Sequence, residues 1–128
     1  MANSFIANQP CPIVGLGTYS FTVETAGIYE LSCQLTIPCN PSGSSLNSAA
    51  TDPNQSNVEI ALKNGSTSLI TAVGGSANNP TPSQGSISAS TSSAFAAGDI
   101  AHVILTSSNA IDSVPNNVKG TINFYYQG

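Results

Sequence analysis

The chain predicts an all-β fold, an antiparallel sandwich of two sheets, on three observations. Apolar and polar residues alternate over several short stretches, the period of a strand with one buried face. Gly, Pro and Asn punctuate the chain between those stretches, and nowhere does the spacing of a substantial amphipathic helix set in. A further stretch, Ile100 to Thr106, is apolar on both faces apart from His102. Such a strand needs cover on each side, and with no helix to supply the second cover, another copy of the chain is expected to do so.

At 128 residues, one domain is expected, able to bury about two thirds of its unfolded surface without disulfides or metal. Only 6% of the residues are charged, Arg and Trp are missing, Lys63 and Lys119 are the two lysines, and the formal net charge is -4. Ser, Thr and Asn are so frequent that the surface must be neutral, built of hydroxyls and amides. A basic footprint for nucleic acid is excluded, as is a polybasic segment for anionic lipid, so neither is an expected partner. The stretch from Met1 to Pro12 has no basic region and no apolar core, so it is not a signal peptide, and synthesis in a cytoplasm is expected.

Residues 1–16 are expected to form a short N-terminal arm ahead of the sandwich at 17–128. The arm carries the apolar patch Phe5-Ile6-Ala7, and the prolines on either side of Cys11 restrict that part to an arm or a sheet edge. From Thr18 the alternation is clear: Tyr19, Phe21 and Val23 share a face. After the turn at Ala26-Gly27 comes the longest strand, where Tyr29, Leu31, Cys33, Leu35 and Ile37 alternate with polar residues until Pro38. One face of that strand is buried and one wet, which assigns it to an outer, solvent-facing sheet. Residues 39–57 read as an exposed polar loop with Leu46 as its one packing residue. Val58, Ile60 and Leu62 then alternate up to Asn64-Gly65, the strongest short-range hairpin signal because both residues tolerate positive φ. Leu69 to Val73 leads away, 74–84 reads as a loop, and Ser-rich Ile87 to Ser93 as an exposed or edge strand. Gly98-Asp99 turns the chain into Ile100 to Thr106. Past a loop with Pro115, the chain closes on Gly120 to Gln127, where Ile122, Phe124 and Tyr126 share one face and Thr121, Asn123 and Tyr125 the other. About eight short strands at this spacing fit a sandwich.

Catalytic groups are sparse. His102 is the single histidine and sits on a mostly apolar strand face, which reads as an interface residue. Gly74 and Gly75 lack the strand-to-helix context of a phosphate cradle, and Asp52 is one carboxylate where calcium needs several. Cys33 has no basic neighbour in sequence to lower its pKa and reads as a small buried hydrophobe. Three cysteines are an odd number for a disulfide framework, and spacing leaves a Cys11–Cys39 pair open. No enzyme, cofactor or metal is expected.

Several of these segments together resemble the trimeric jelly roll of the complement-type globular heads and the tumour necrosis factor family. Phe21-Thr-Val23 followed by Ala26-Gly-Ile-Tyr29 is similar to that family's opening strands. Val58 to Gly65 resembles its strand ending in an Asn-Gly hairpin, and Ala97-Ala-Gly-Asp99 with the apolar run behind it resembles another of its motifs. Gly120 to Tyr126 resembles its final strand, central in the inner sheet. The resemblance covers roughly residues 17–128 and implies a homotrimer whose inner sheets pack around a threefold axis, with Ile100, His102, Ile104 and Tyr125 near that axis. Three imidazoles meeting there would offer a site for a metal or an anion. On that basis Ile104→Asp is expected to break the assembly and Gln34→Asp to do almost nothing. Small jelly rolls poor in charge and without a signal resemble bacteriophage structural proteins of the virion surface. The implied role is a capsid decoration, or cement, trimer, made in the host cytoplasm and placed on the capsid exterior, with Phe5 and Ile6 contacting the major capsid protein. The alternative is a receptor- or glycan-binding tip of a phage fibre or spike.

Overall fold

A computed structural model of the chain describes residues 3–37, 55–77, 85–107 and 118–128. Nine strands are formed among them: β1 (Asn3–Ser4), β2 (Cys11–Val14), β3 (Gly17–Thr22), β4 (Gly27–Ile37), β5 (Gln55–Asn64), β6 (Thr67–Ala77), β7 (Gly85–Phe95), β8 (Ile100–Ser107) and β9 (Lys119–Tyr126). One sheet has the order β1-β3-β8-β5-β6 and the other β2-β9-β4-β7. Apart from the short parallel pair β1/β3, every pairing is antiparallel. The eight antiparallel strands β2–β9, interleaved between two sheets in this order, make the jelly-roll sandwich expected from the sequence, with short β1 added at one edge.

Period-2 alternation does the building. Along β4, Tyr29, Leu31, Cys33, Leu35 and Ile37 are buried while Glu30, Gln34 and Thr36 are exposed. Ala101, Val103 and Leu105 of β8 face them across the core with Val58, Ile60 and Leu62 of β5. The hairpin expected at Asn64-Gly65 forms with its turn one residue later: Asn64 stays in β5 opposite Thr67, and Gly65 (φ +58°) and Ser66 make the turn.

Phe124 is the hub of one end of the core. Its ring stacks on Tyr29 at 4.4 Å and meets Phe5, Phe21 and Phe95 edge-on at 5.2 to 5.8 Å. Edge-to-face and offset-stacked rings at such distances are favoured by their quadrupoles as well as by burial.

Three expectations need correction. The stretch expected as an arm at 1–16 is not one from Asn3 onward: β1 pairs with β3, β2 pairs with β9, and Phe5, Cys11 and Ile13 lie in the core. Between the two strands the chain crosses from one sheet to the other at Asn8, whose N–H donates to the Phe124 carbonyl (2.7 Å) and whose side-chain oxygen accepts from Tyr126 N–H (3.0 Å). Asn8 holds φ +69°, a conformation asparagine tolerates better than most residues. The assignment of β4 to a different sheet from the final strand is also corrected, because β4 and β9 are direct neighbours, Tyr29 opposite Tyr126 through Thr36 opposite Lys119. Lastly, Gly74 and Gly75 lie inside β6, not in a loop. A Cβ on Gly74 would meet the Ile87 side chain at 3.1 Å, so glycine lets β6 and β7 of opposite sheets approach. Cys39, Leu46, Asp52 and Pro115 lie outside the described residues, and with them the Cys11–Cys39 pairing and the loops at 39–54 and 111–117.

Candidate assembly surface

A sandwich has two outer faces and two long sides, and the residues singled out by the sequence fall on different ones. Ile100, His102 and Ile104 do share a face, the outer face of the five-stranded sheet. There β3 and β5 flank them, with Ser20 and Lys63 opposite His102 and Thr18 and Ala61 opposite Ile104. These neighbours leave His102 and Ile104 half-buried and Ile100 39% exposed, so the second face of β8 is partly covered within one chain. Tyr125 lies on β9, on the outer face of the other sheet. The four residues therefore cannot meet one axis together, since the whole core lies between Tyr125 and the other three. Phe5 is 2% exposed and packs against Phe21 and Phe124, which removes it as a surface contact; Ile6 beside it is 46% exposed. Alternation missed Phe5 because it sits outside any long alternating run, and only its position three residues before an Asn hinted at a turn back into the fold.

The outer face of the four-stranded sheet has a different chemistry. Its rows across β9, β4 and β7 read Tyr125-Glu30-Ser92, Asn123-Ser32-Ser90 and Thr121-Gln34-Ser88. Hydroxyls and amides dominate these rows, where Glu30 is the one acidic residue; beyond them on the same face lie Ile28, 47% exposed, and Lys119. A shallow depression of about 450 Å³ opens on it, lined by Gln34, Thr36, Ser86, Ser88 and Thr121. Gly120 forms part of its floor, and a Cβ there would run into the Gln34 carbonyl oxygen, so only glycine lets β9 lie this close to β4.

Beside this face lies a long side of the sandwich with two edge strands, β6 and β7, one from each sheet. Both span 11 residues, and neither contains a charge or a proline. Natural edges are usually blunted by Lys, Pro, bulges or shortness, so two long neutral edges side by side invite a partner.

Titratable groups in the fold serve structure. Burial pushes the Cys33 thiol up to about 12, which keeps it protonated and inert. Burial also raises Tyr19, helped by the proximity of Cys33, and the Tyr19 hydroxyl donates to the Val14 and Gly15 carbonyls at 3.0 and 3.1 Å. Asp99 is lowered, chiefly because its carboxylate accepts from Ala96 N–H (2.8 Å) and then from the Asn64 amide (3.0 Å). Among the described residues no three of His, Cys, Asp and Glu gather where they could hold a metal ion.

No protein-family model matches the sequence, and no curated protein matches it either. Among solved structures, the tumour necrosis factor Eiger from S. frugiperda aligns over 93% of this chain and 87% of its own at 9% identity and a TM-score of 0.44. Murine APRIL aligns over 81% of this chain and 72% of its own at 14% identity and a TM-score of 0.42. These are likenesses of outline; the fold assignment rests on the strand order itself.

Proposed function

We propose that this chain is a non-enzymatic structural subunit of a particle surface: a homotrimer that decorates a bacteriophage head and contacts its major capsid protein. One observation supports the assembly most directly. The molecule offers two different patches, the hydroxyl-rich outer face of β9, β4 and β7, which carries Glu30 and Lys119, and the adjoining uncharged β6/β7 edge. A ring of like subunits needs such a pair, because each copy presents one patch and receives the other. With hydroxyls and amides on the face and hydroxyls beside the exposed Ile70 and Val73 on the edge, the contact can exchange hydrogen bonds and bury apolar surface, and Glu30 is the one acid in the rows that would lose water. The jelly-roll resemblance, with the final strand central in the inner sheet, agrees with this placement and supports three copies. Under this arrangement Tyr125 stays near the axis, and Ile100, His102 and Ile104 move to the outside of the ring. A virion location is supported by the scarcity of charge, and Ile6 remains the candidate contact with capsid protein.

A second reading, a receptor- or glycan-binding tip, is favoured by one feature. The ends of β4, β6 and β8 and the starts of β5, β7 and β9 all lie at the same end of the sandwich, as the pairs Ile37/Gly85, Gln55/Ala77 and Thr36/Lys119 require. The three longest connections thus leave from one end.

Sedimentation of the purified chain is expected to give a trimer. Gln34→Asp should raise the dissociation constant about tenfold or more, equivalent to about 1.4 kcal/mol, while Ile104→Asp leaves the trimer intact. A monomer at micromolar concentration, or dissociation by Ile104→Asp alone, overturns the assembly. Trimers should bind phage heads stripped of outer proteins and raise their resistance to heat; failure to bind, together with a clear hit on a glycan array, transfers the role to the second reading.

A further inference from the structure

The tip of the β5–β6 hairpin carries chemistry that the assembly does not use. Asn followed by Gly is unusually prone to lose its side-chain amide, because glycine has no side chain to hinder attack by its own backbone nitrogen. At Gly65 a Cβ would meet nothing within 4 Å, so the tip is open to water. Yet both reacting atoms are engaged. The Gly65 N–H donates to the Ile100 carbonyl at 2.8 Å, and the Asn64 Nδ2 donates to Asp99 Oδ2 at 3.0 Å. Asp99 is itself fixed, because the same oxygen accepts from Ala96 N–H at 2.8 Å and its own N–H donates to the Ala96 carbonyl at 3.0 Å.

We propose that Asn64 is a site of spontaneous deamidation, held in check by the hydrogen bonds that tie Asn64 and Gly65 to Asp99 and Ile100. When the tip detaches, the Gly65 nitrogen gives its proton to solvent and attacks the Asn64 Cγ. A nitrogen–carbon bond forms, the Cγ–Nδ2 bond breaks, and the amide nitrogen takes up a proton and leaves as ammonia. Water then opens the succinimide at either carbonyl, leaving aspartate or isoaspartate; one water is consumed, one ammonia is released and nothing is oxidised or reduced. The product cannot return to the original contact, since the Asn64 amide donor has become a carboxylate facing the carboxylate of Asp99. Each conversion therefore leaves the β5–β6 hairpin permanently loosened from the start of β8.

The measurement is the rate of the one-dalton mass gain in the peptide containing residue 64, in mildly alkaline buffer, for the native chain, the urea-unfolded chain and Asp99→Ala. The native chain should convert about tenfold or more slowly than the unfolded one, as expected when reaction needs local opening. Asp99→Ala, shown by circular dichroism to keep its sheets, should convert faster than the native chain. Equal rates in native and unfolded chains overturn the proposal without recourse to a variant. So does a folded Asp99→Ala that converts no faster than the parent.

Discussion

The two long sides of this sandwich are finished in opposite ways. On one side the N-terminal residues cross from sheet to sheet: β1 is two residues long, β2 is four with Pro12 inside it, and Phe5 is pressed into the core between them. Short edges and a proline offer little to an incoming strand, so that side is sealed by the chain itself. On the other side β6 and β7 each run for 11 residues without a charge or a proline, and at Gly74 and Ile87 the two sheets draw close. Both sides bury apolar side chains, Phe5 on one and Ile87, Ala89 and Phe95 on the other. The difference lies in the backbone, which is closed off by short strands on one side and left as two long unpaired edges on the other.

The largest expected effect falls on the sealed side. Phe5→Ala removes a ring packed on Phe21 and Phe124 and should lower the free energy of unfolding by about 3–5 kcal/mol, measured by urea titration. If the loss is under about 1 kcal/mol, the range of an ordinary surface change, the N-terminal residues are an arm after all. A medium effect belongs to the open side: Ser90→Lys on exposed β7 should change stability by no more than about 0.5 kcal/mol yet dissociate the trimer in sedimentation. Thr18→Lys, exposed on β3 near the sealed side, should alter neither, and equal behaviour of the two variants would erase the contrast between the sides.

The smallest effect is a pH dependence. The Asp99 carboxyl is depressed by its hydrogen bonds from Ala96 and Asn64, so its contribution is complete above the ordinary aspartate range of about 3.9 and is lost as pH falls through the lowered value. Acidification should therefore free the β5–β6 tip, and with it the open side, before the sealed one. Hydrogen exchange of residues 64–70 should rise first, and Asp99→Asn should flatten that response. Exchange rising first in β2 and β3 would contradict it.

Much of the fold is legible in the residues. The centres of the strands from Gly17 onward are legible, β3, β4, β5 and β9 by alternation and β8 by its apolar run, and so are the β5–β6 hairpin from Asn64-Gly65 and the turn into β8 from Gly98-Asp99, whose carboxylate links the two turns; the strand ends at 55–57 and 74–77 are not. The assembly surface is far less legible. Ile100 and Ile104 draw attention because they are apolar, but flanking strands half-bury Ile104 and leave Ile100 39% exposed, whereas Ser88, Ser90 and Gln34 are uncharged, exposed and beside the open edge. Edges are legible in part: Ser-rich β7 reads as an edge strand and is one, whereas β6 gives no such signal and its place at the end of the five-stranded sheet comes from the pairing.

The sequence alone determined the alternating parts of the strands from β3 onward and which of their side chains point together, because that periodicity is set by the local pleat; β1, β2 and the strand ends at 55–57 and 74–77 lay beyond it. Tertiary structure alone decided that β4 and β9 are neighbours, that β8 lies in the opposite sheet, and that Phe5 closes the core. Those facts depend on pairings between residues up to a hundred or more positions apart, such as Tyr29 with Tyr126 and Asn8 with Tyr126. A period of two along the chain carries no record of which distant strand will lie alongside.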